Sequence, residues 1–393
     1  MTRKITVGID VGTYSTKVVV SEYIKEESRS AIVGTGLAES EGLRRGYIVN
    51  FDEAVKSIKK AISEAERSSR VKIKRAYISM GGISLESLIA HGTAIVSRAD
   101  GEVTELDVKK ALEESEKNLG DPKNKKILHS VPVRFKIDGE EVMGRPTGLR
   151  GLKLEVKTLF IICLEQHYED LIEAVESAGV EVADVIASPI AAGLISLSKK
   201  QRNVGCILVN IGSETVSIVV YENDTPISLD VFPIGSADIT NDMALGLKIA
   251  PEEAERLKLS GNIENYPRKK LDEIIEARLV DIFELIESHL KKIGRNGLLP
   301  AGIILTGGGS GLSTIEDLAK ASLKLPVKVF GREIADQTKG KIRDSSWFVA
   351  YGLSLLSGLG QGLEERGGFM KNLERLVNKA RNALALSSRQ LLP

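Results

Sequence analysis

At 393 residues the chain exceeds the length of one ordinary domain, so two or more compact units with sizeable cores are expected. Hydrophobic residues make up 42% and charged residues 27%, which excludes a disordered or membrane-spanning chain for the main body. Lysine plus arginine equal aspartate plus glutamate at 54 each, so net charge gives no argument for a nucleic-acid partner, and any electrostatic function has to be local.

The N-terminal apolar run is too short for a signal peptide, and no stretch of about 20 apolar residues could span a bilayer. A cytosolic chain is expected unless something tethers it. Residues 9–20 read Ile-Asp-Val-Gly-Thr-Tyr-Ser-Thr-Lys-Val-Val-Val, a buried strand, a tight turn and a second strand, which predicts a hairpin. The pattern returns at 209–220 as Val-Asn-Ile-Gly-Ser-Glu-Thr-Val-Ser-Ile-Val-Val, with Gly12 matching Gly212 and Thr13 matching Ser213. Two related halves facing each other are implied. Between the repeats, periodicity predicts a helix over 51–68 and a strand over 75–80. Residues 81–164 form a distinct block that reads as an insertion, with short alternating strands around one helix at 105–118. Cys163 and Cys206 lie in apolar runs, which predicts buried thiols in a reducing compartment. Beyond the second hairpin, Pro251-Glu252-Glu253 suits a first helical turn, and 271–293 is a long amphipathic run. The strand Ile303-Ile304-Leu305 then enters Thr306-Gly307-Gly308-Gly309-Ser310-Gly311, with a helix from about Thr314. Hairpins mixed with crossover helices predict an α/β fold.

A glycine in such a turn lets the backbone approach a phosphate, while neighbouring N–H groups and hydroxyls donate to its oxygens. Gly12, Thr13 and Tyr14 supply one such turn, and Gly212, Ser213, Glu214 and Thr215 a second. Asp10 is placed to hold Mg²⁺ through its waters, and Lys17 to offset phosphate charge. Gly307, Gly308 and Gly309 suit the adenosine and α-phosphate end of a nucleotide. His91, His129, His167 and His289 are scattered with no metal-ligand spacing, and no Ser/His/Asp arrangement stands out.

A repeated hairpin followed by a strand running into a triple-glycine turn resembles, in that order, the actin, DnaK-type chaperone and sugar-kinase superfamily. Residues 9–17, 209–221 and 303–312 resemble its phosphate-1, phosphate-2 and adenosine motifs. The resemblance implies ATP and Mg²⁺ in a cleft between two related lobes, with Glu255 and Lys258 contacting the adenosine. Asn210 stands where hydrolytic members usually carry Asp, and Ser188 stands before Pro189 where chaperone-type members carry Glu. Loss of a carboxylate weakens Mg²⁺ binding and removes a group that positions water, so ATP binding with slow or absent hydrolysis is expected.

Several segments are similar to the FtsA family in particular: 79–83, 129–139 and 146–155 in the inserted block, then 239–244, 254–258 and 275–279. That resemblance implies an actin-like two-lobed fold with an inserted subdomain 1C and a C-terminal amphipathic helix. The implied boundaries are 1–80 for 1A, completed by about 165–190 and 345–357; 81–164 for 1C; 191–235 for 2A, completed by about 300–344; and 236–299 for 2B. It implies a polymerising cell-division adaptor at the division site on the cytoplasmic face of the cell membrane. The partners would be further copies of itself, other divisome proteins and the C-terminal tail of the tubulin-like FtsZ. The tail would meet 2B at Lys270, Arg278 and Asp281, which taken alone read as a solvated helix face.

The tail of the chain carries its own signal. Gly358, Gly360, Gly362, Gly367 and Gly368 give 358–368 the composition of a linker. Phe369, Met370, Leu373, Leu376 and Val377 then recur at spacings of one, three and four, with Lys371, Arg375 and Lys379 on the other side. Residues 369–386 therefore predict an amphipathic helix lying in the interface of an anionic membrane, weak enough that several copies on one polymer would hold far better than one. A helix docked on its own domain is the plainer reading of the same pattern. Two other functions share the core: a PilM-type pilus-assembly adaptor, which would lack the amphipathic tail, and a small-molecule kinase, which would need a polar substrate pocket and a catalytic carboxylate.

Overall fold

The computed structural model describes residues 4–24, 29–120, 123–260, 266, 268–331, 334–338 and 340–356. The linker and amphipathic helix expected over 358–386 lie outside the described residues.

The two hairpins seed two five-stranded sheets of one topology. In the first lobe Lys4–Val11, Ser15–Ile24 and Arg29–Glu39 form an antiparallel meander, and Arg75–Met80 and Glu181–Ala187 add in parallel beyond Lys4–Val11. In the second lobe Cys206–Ile211, Val216–Glu222 and Thr225–Phe232 make the meander, with Ile303–Thr306 and Val327–Val329 as the parallel extension. The short repeat read from the sequence is thus the visible part of a duplication that spans both sheets. Register follows it: Asp10 pairs with Lys17 as Asn210 pairs with Ser217.

Central strands such as Val18-Val19-Val20 are apolar at every position because helices or the opposite lobe cover both faces. The helix Phe51–Ser69 supplies one cover, burying Ala54, Ile58, Ala61, Ile62 and Ala65 at helical spacing, and Asn50 caps its start by accepting from the Glu53 amide. Helices Ser188–Ser196 and Phe348–Ser354 pack on each other between the sheets. Around them Val7 and Ile9 of one lobe share a core with Leu208, Val219 and Tyr221 of the other. The lobes therefore meet along one buried seam and open into a cleft elsewhere. Cys163 and Cys206 are buried free thiols in this core.

The inserted block folds as a four-stranded antiparallel sheet, Glu86–Ile95, Lys153–Leu164, Lys125–Ile137 and Glu140–Val142 in spatial order, backed by the helix Glu105–Asn118. The strands are longer than the sequence suggested, 10, 12 and 13 residues for the first three in that order. Pro132 looks like a strand breaker because it cannot donate to the ladder, but it sits at a register shift opposite Thr158, where the pairing is already interrupted. In the second lobe, helices Ser236–Leu247, Pro251–Ser260 and Arg268–Lys292 follow the meander. The last of them buries Leu271, Ile275, Leu279, Ile282, Phe283, Ile286 and Leu290 in the same core as the second sheet.

Candidate functional site

The three glycine turns converge on one cavity of about 1370 Å³ between the lobes. Gly12, Thr13, Tyr14 and Lys17 enter from the first hairpin, Gly212, Ser213 and Thr215 from the second, and Gly307, Gly308 and Gly309 from the third turn. The two hairpin turns are built alike: a Cβ on Gly12 would stand 3.0 Å from the Ser15 carbonyl oxygen, and one on Gly212 2.9 Å from that of Thr215. Gly307 is more restricted. Its φ of 89° and ψ of 168° belong to a region essentially closed to other residues. A Cβ there would lie 2.4 Å from both Asn210 Oδ1 and the Ile211 carbonyl oxygen. The third turn is thereby pressed against the second, and their bare backbones face the cavity.

Asp10 and Lys17 stand opposite each other across the first hairpin. Ser79 donates to Asp10 Oδ1 at 2.7 Å, and Lys17 Nζ donates to Ser15 Oγ at 2.8 Å. Burial pushes the Asp10 carboxyl above its ordinary range, against the pull of Lys17 and the Ser79 hydrogen bond. Burial likewise pushes the Lys17 ammonium down, against the attraction of Asp10 and Asp344. Each charge has lost water without full replacement. A divalent cation beside Asp10 and a phosphate beside Lys17 would supply the missing counter-charge, so this donor set fits a Mg²⁺-nucleotide. Among the described residues no cluster of three or more His, Cys, Asp or Glu could hold a metal unaided.

On the opposite wall, Lys258 donates to Glu255 Oε2 at 2.7 Å, to Thr240 Oγ1 at 2.7 Å and to the Ser236 carbonyl at 2.9 Å. Its side chain is only 6% exposed, so the spacing of three, which alone reads as a solvated pair, here ties two helices together at the cavity edge. Glu214 does not line the cavity. Its carboxylate accepts from the Arg45 amide of the other lobe and links the lobes at the cleft mouth. Asn210 and Ser188, the two neutral replacements, do line it.

Sequence reading missed Ser217, Ser236, Thr240, Arg343 and Asp344, which also line the cavity. Ser217 could have been found from the hairpin register, as the counterpart of Lys17. Asp344 carries a local sign, since its Oδ1 accepts from the Ser346 amide at 2.8 Å to start the turn into Phe348–Ser354, but only the fold turns it toward Lys17.

The remaining expected sites lie elsewhere. Arg278 spans Asp242, at 2.7 and 3.0 Å, and Asp281 at 3.1 Å, while Lys270 donates to the Gly246 carbonyl at 2.6 Å. This face is therefore an ion-paired seam between two helices and not a set of free charges. Phe369, Met370, Lys371, Leu373, Arg375, Leu376, Val377 and Lys379 fall outside the described residues. A Ser–His–Asp line does form, away from the cleft: Ser228 Oγ is 2.8 Å from His289 Nε2, and Asp230 Oδ2 is 3.1 Å from His289 Nδ1. Ser228 and Asp230 alternate onto one face of a strand that the long helix covers, and Ser228 is 5% exposed, so the line ties strand to helix.

A family model described as cell division protein FtsA matches residues 207–352, and one described as the SHS2 domain inserted in FtsA matches 82–162. The cell division protein FtsA of Bacillus subtilis is 31% identical over 369 residues, 88% of this chain and 82% of that protein. Among solved structures, that of the PilM–PilN type IV pilus biogenesis complex is similar at a TM-score of 0.66 and 17% identity, covering 90% of this chain and 98% of the other. MreB5 of Spiroplasma citri bound to AMPPNP is similar at 0.53 and 13%, covering 92% and 98%. The fold is actin-like, with an SHS2 insertion.

Proposed function

The chain belongs to the FtsA family of cell division proteins, and from that premise we propose that it is an ATP-binding, polymerising adaptor that tethers FtsZ filaments to the inner face of the cytoplasmic membrane and helps recruit the divisome. The observation that carries the nucleotide part is the convergence of three glycine turns and the under-compensated Asp10–Lys17 pair on one cavity. The AMPPNP in the similar MreB5 structure supports ATP as the ligand. Gly12, Thr13, Tyr14 and Lys17 with Gly212, Ser213 and Thr215 take the phosphates; Asp10 orders the hydrated Mg²⁺; Glu255, Lys258 and Gly307 to Gly309 take the adenosine end. Glu214 ties the second phosphate turn to the first lobe through the Arg45 amide. Asn210 and Ser188 are neutral where a carboxylate would position water, so turnover is slow or absent and ATP acts as a switching ligand. The subdomain divisions and the anchor over 369–386 belong to this proposal, and so does the tail site at Lys270, Arg278 and Asp281.

The experiment is sedimentation with anionic liposomes, with and without ATP, for the full chain and for a version ending at Gly367, with electron microscopy of the pellets. Lipid binding lost with the truncation supports the tether; equal binding by both removes it and favours the PilM-like reading, whose core the chain shares. Arg278→Glu should abolish binding of an FtsZ tail peptide while ATP binding stays; unchanged tail affinity would remove that site.

A further inference from the structure

A short hairpin, Leu43–Arg44 paired with Tyr47–Ile48, lies over the mouth of the cleft, and its tip is held from three sides. From the first lobe, Thr13 Oγ1 accepts the Gly46 amide at 2.9 Å. From the second, the Glu214 carboxylate accepts the Arg45 amide. The third contact is made by His167, whose Nε2 is 2.7 Å from the Gly46 carbonyl oxygen. Its Nδ1 is 3.0 Å from Ser84 Oγ, and Tyr47 stacks on the ring at 4.5 Å. Gly46 and Gly82 themselves line the cleft.

His167 stands where the inserted domain is fastened. It lies in the first turn of Glu165–Ser177, directly after the strand that leaves the insert, and Ser84 lies just ahead of the strand Glu86–Ile95 that begins it. A carbonyl oxygen only accepts, so Nε2 carries the proton. Burial pushes the imidazole below its ordinary pKa, against the Gly46 carbonyl and Asp170, which favours the neutral ring, leaving Nδ1 to accept from the Ser84 hydroxyl. Hydrogen bonds from both phosphate turns and from the two ends of the insert therefore meet on the hairpin tip.

We propose that His167 is a positioning residue that holds the tip of the 43–48 hairpin against Thr13 and Glu214 and so couples phosphate binding in the cleft to the placement of the inserted domain. The Thr13 hydroxyl, while accepting from Gly46, keeps its own proton to donate to a phosphate oxygen. That donation strengthens the bond it accepts, since chains of hydrogen bonds polarise one another. Linkage makes the effect reciprocal: releasing the tip weakens the nucleotide, and an insert held in its ATP-state position strengthens it.

The coupling rests on the nucleotide reading and is tested on the full chain. Dyes on cysteines introduced at Met143, which is 99% exposed at the far end of the insert, and at Leu298, 63% exposed on the second lobe, report insert placement by energy transfer. Cys163 and Cys206 are buried and stay unlabelled. Mg²⁺-ATP affinity is measured by calorimetry on the same proteins. In the parent, ATP should change the transfer. His167→Ala should weaken ATP about ten-fold, within the usual range of coupling between sites, and abolish the change. His167→Gln, whose amide N–H can still reach the Gly46 carbonyl, should restore affinity. Ser84→Ala, which leaves the tip held, should keep ATP affinity and lose most of the change. A parent that binds no ATP overturns the nucleotide reading and the coupling with it. A parent that binds ATP while His167→Ala matches it in affinity and response, or Ser84→Ala responds in full, overturns the coupling alone.

Discussion

Gly307→Ala tests whether the third turn is shaped for the cleft or is a generic loop. The φ and ψ of 89° and 168° cost another residue on the order of 1–3 kcal/mol. The new methyl would also stand 2.4 Å from Asn210 Oδ1 and the Ile211 carbonyl oxygen, so backbone must move, at a typical 1–3 kcal/mol. Together about 4 kcal/mol is expected, which corresponds to a fall in Tm of about 8–16 °C for a lobe of this size. The displaced Asn210 and Ile211 border the phosphate turn, so ATP should bind at least about ten-fold more weakly. At a concentration of 100 Kd for the parent, ATP stabilises by about 2.7 kcal/mol; a ten-fold weaker site reduces this to about 1.4 kcal/mol. Thermal melting with and without Mg²⁺-ATP reads both effects. Gly311→Ala is the control, because it has no positive φ and nothing within 4 Å of its added Cβ. If the two variants melt alike and respond alike to ATP, the reasoning is wrong.

Three further outcomes follow from buried groups. Burial pushes the Cys163 and Cys206 thiols up to about 12, so neither should react with a thiol reagent at pH 8 until the protein is denatured, when both should. His129 accepts from the Ala187 amide, and burial pushes its imidazole down to about 4 from 6.5. The unfolded chain therefore binds a proton that the native state refuses between pH 6.5 and 4, a loss of about 3 kcal/mol. Denaturant unfolding should show the parent losing that much relative to His129→Gln over this interval and nothing above it; a constant difference across pH would refute the assignment. Lys258→Met takes the ammonium from Glu255 and the Ser236 carbonyl and leaves the Thr240 hydroxyl as their remaining side-chain donor, so it should cost about 1–3 kcal/mol in the same assay and weaken ATP, with Thr240→Val expected to be milder.

The sequence alone determined what depends on neighbours in the chain. Runs of β-branched residues flanking Gly12 and Gly212 located both hairpins, because strand and turn preferences act over a few residues. The helix at 105–118 was legible for the same reason, with Thr104 capping it. The insertion was visible as a break between the repeats, but the length of its strands was not, since only pairing with Thr158 accommodates Pro132. Residues far apart in the chain were decided by tertiary structure. Asp344 reaches the field of Lys17, Glu214 crosses to Arg45, and His167 meets both Gly46 and Ser84 only after two duplicated sheets close on a shared seam. Arg278 taken alone read as part of a solvated helix face because its partner Asp242 lies on another helix. Hydrogen bonds and ion pairs act over a few ångströms of space, and only packing of the two lobes brings these groups that close.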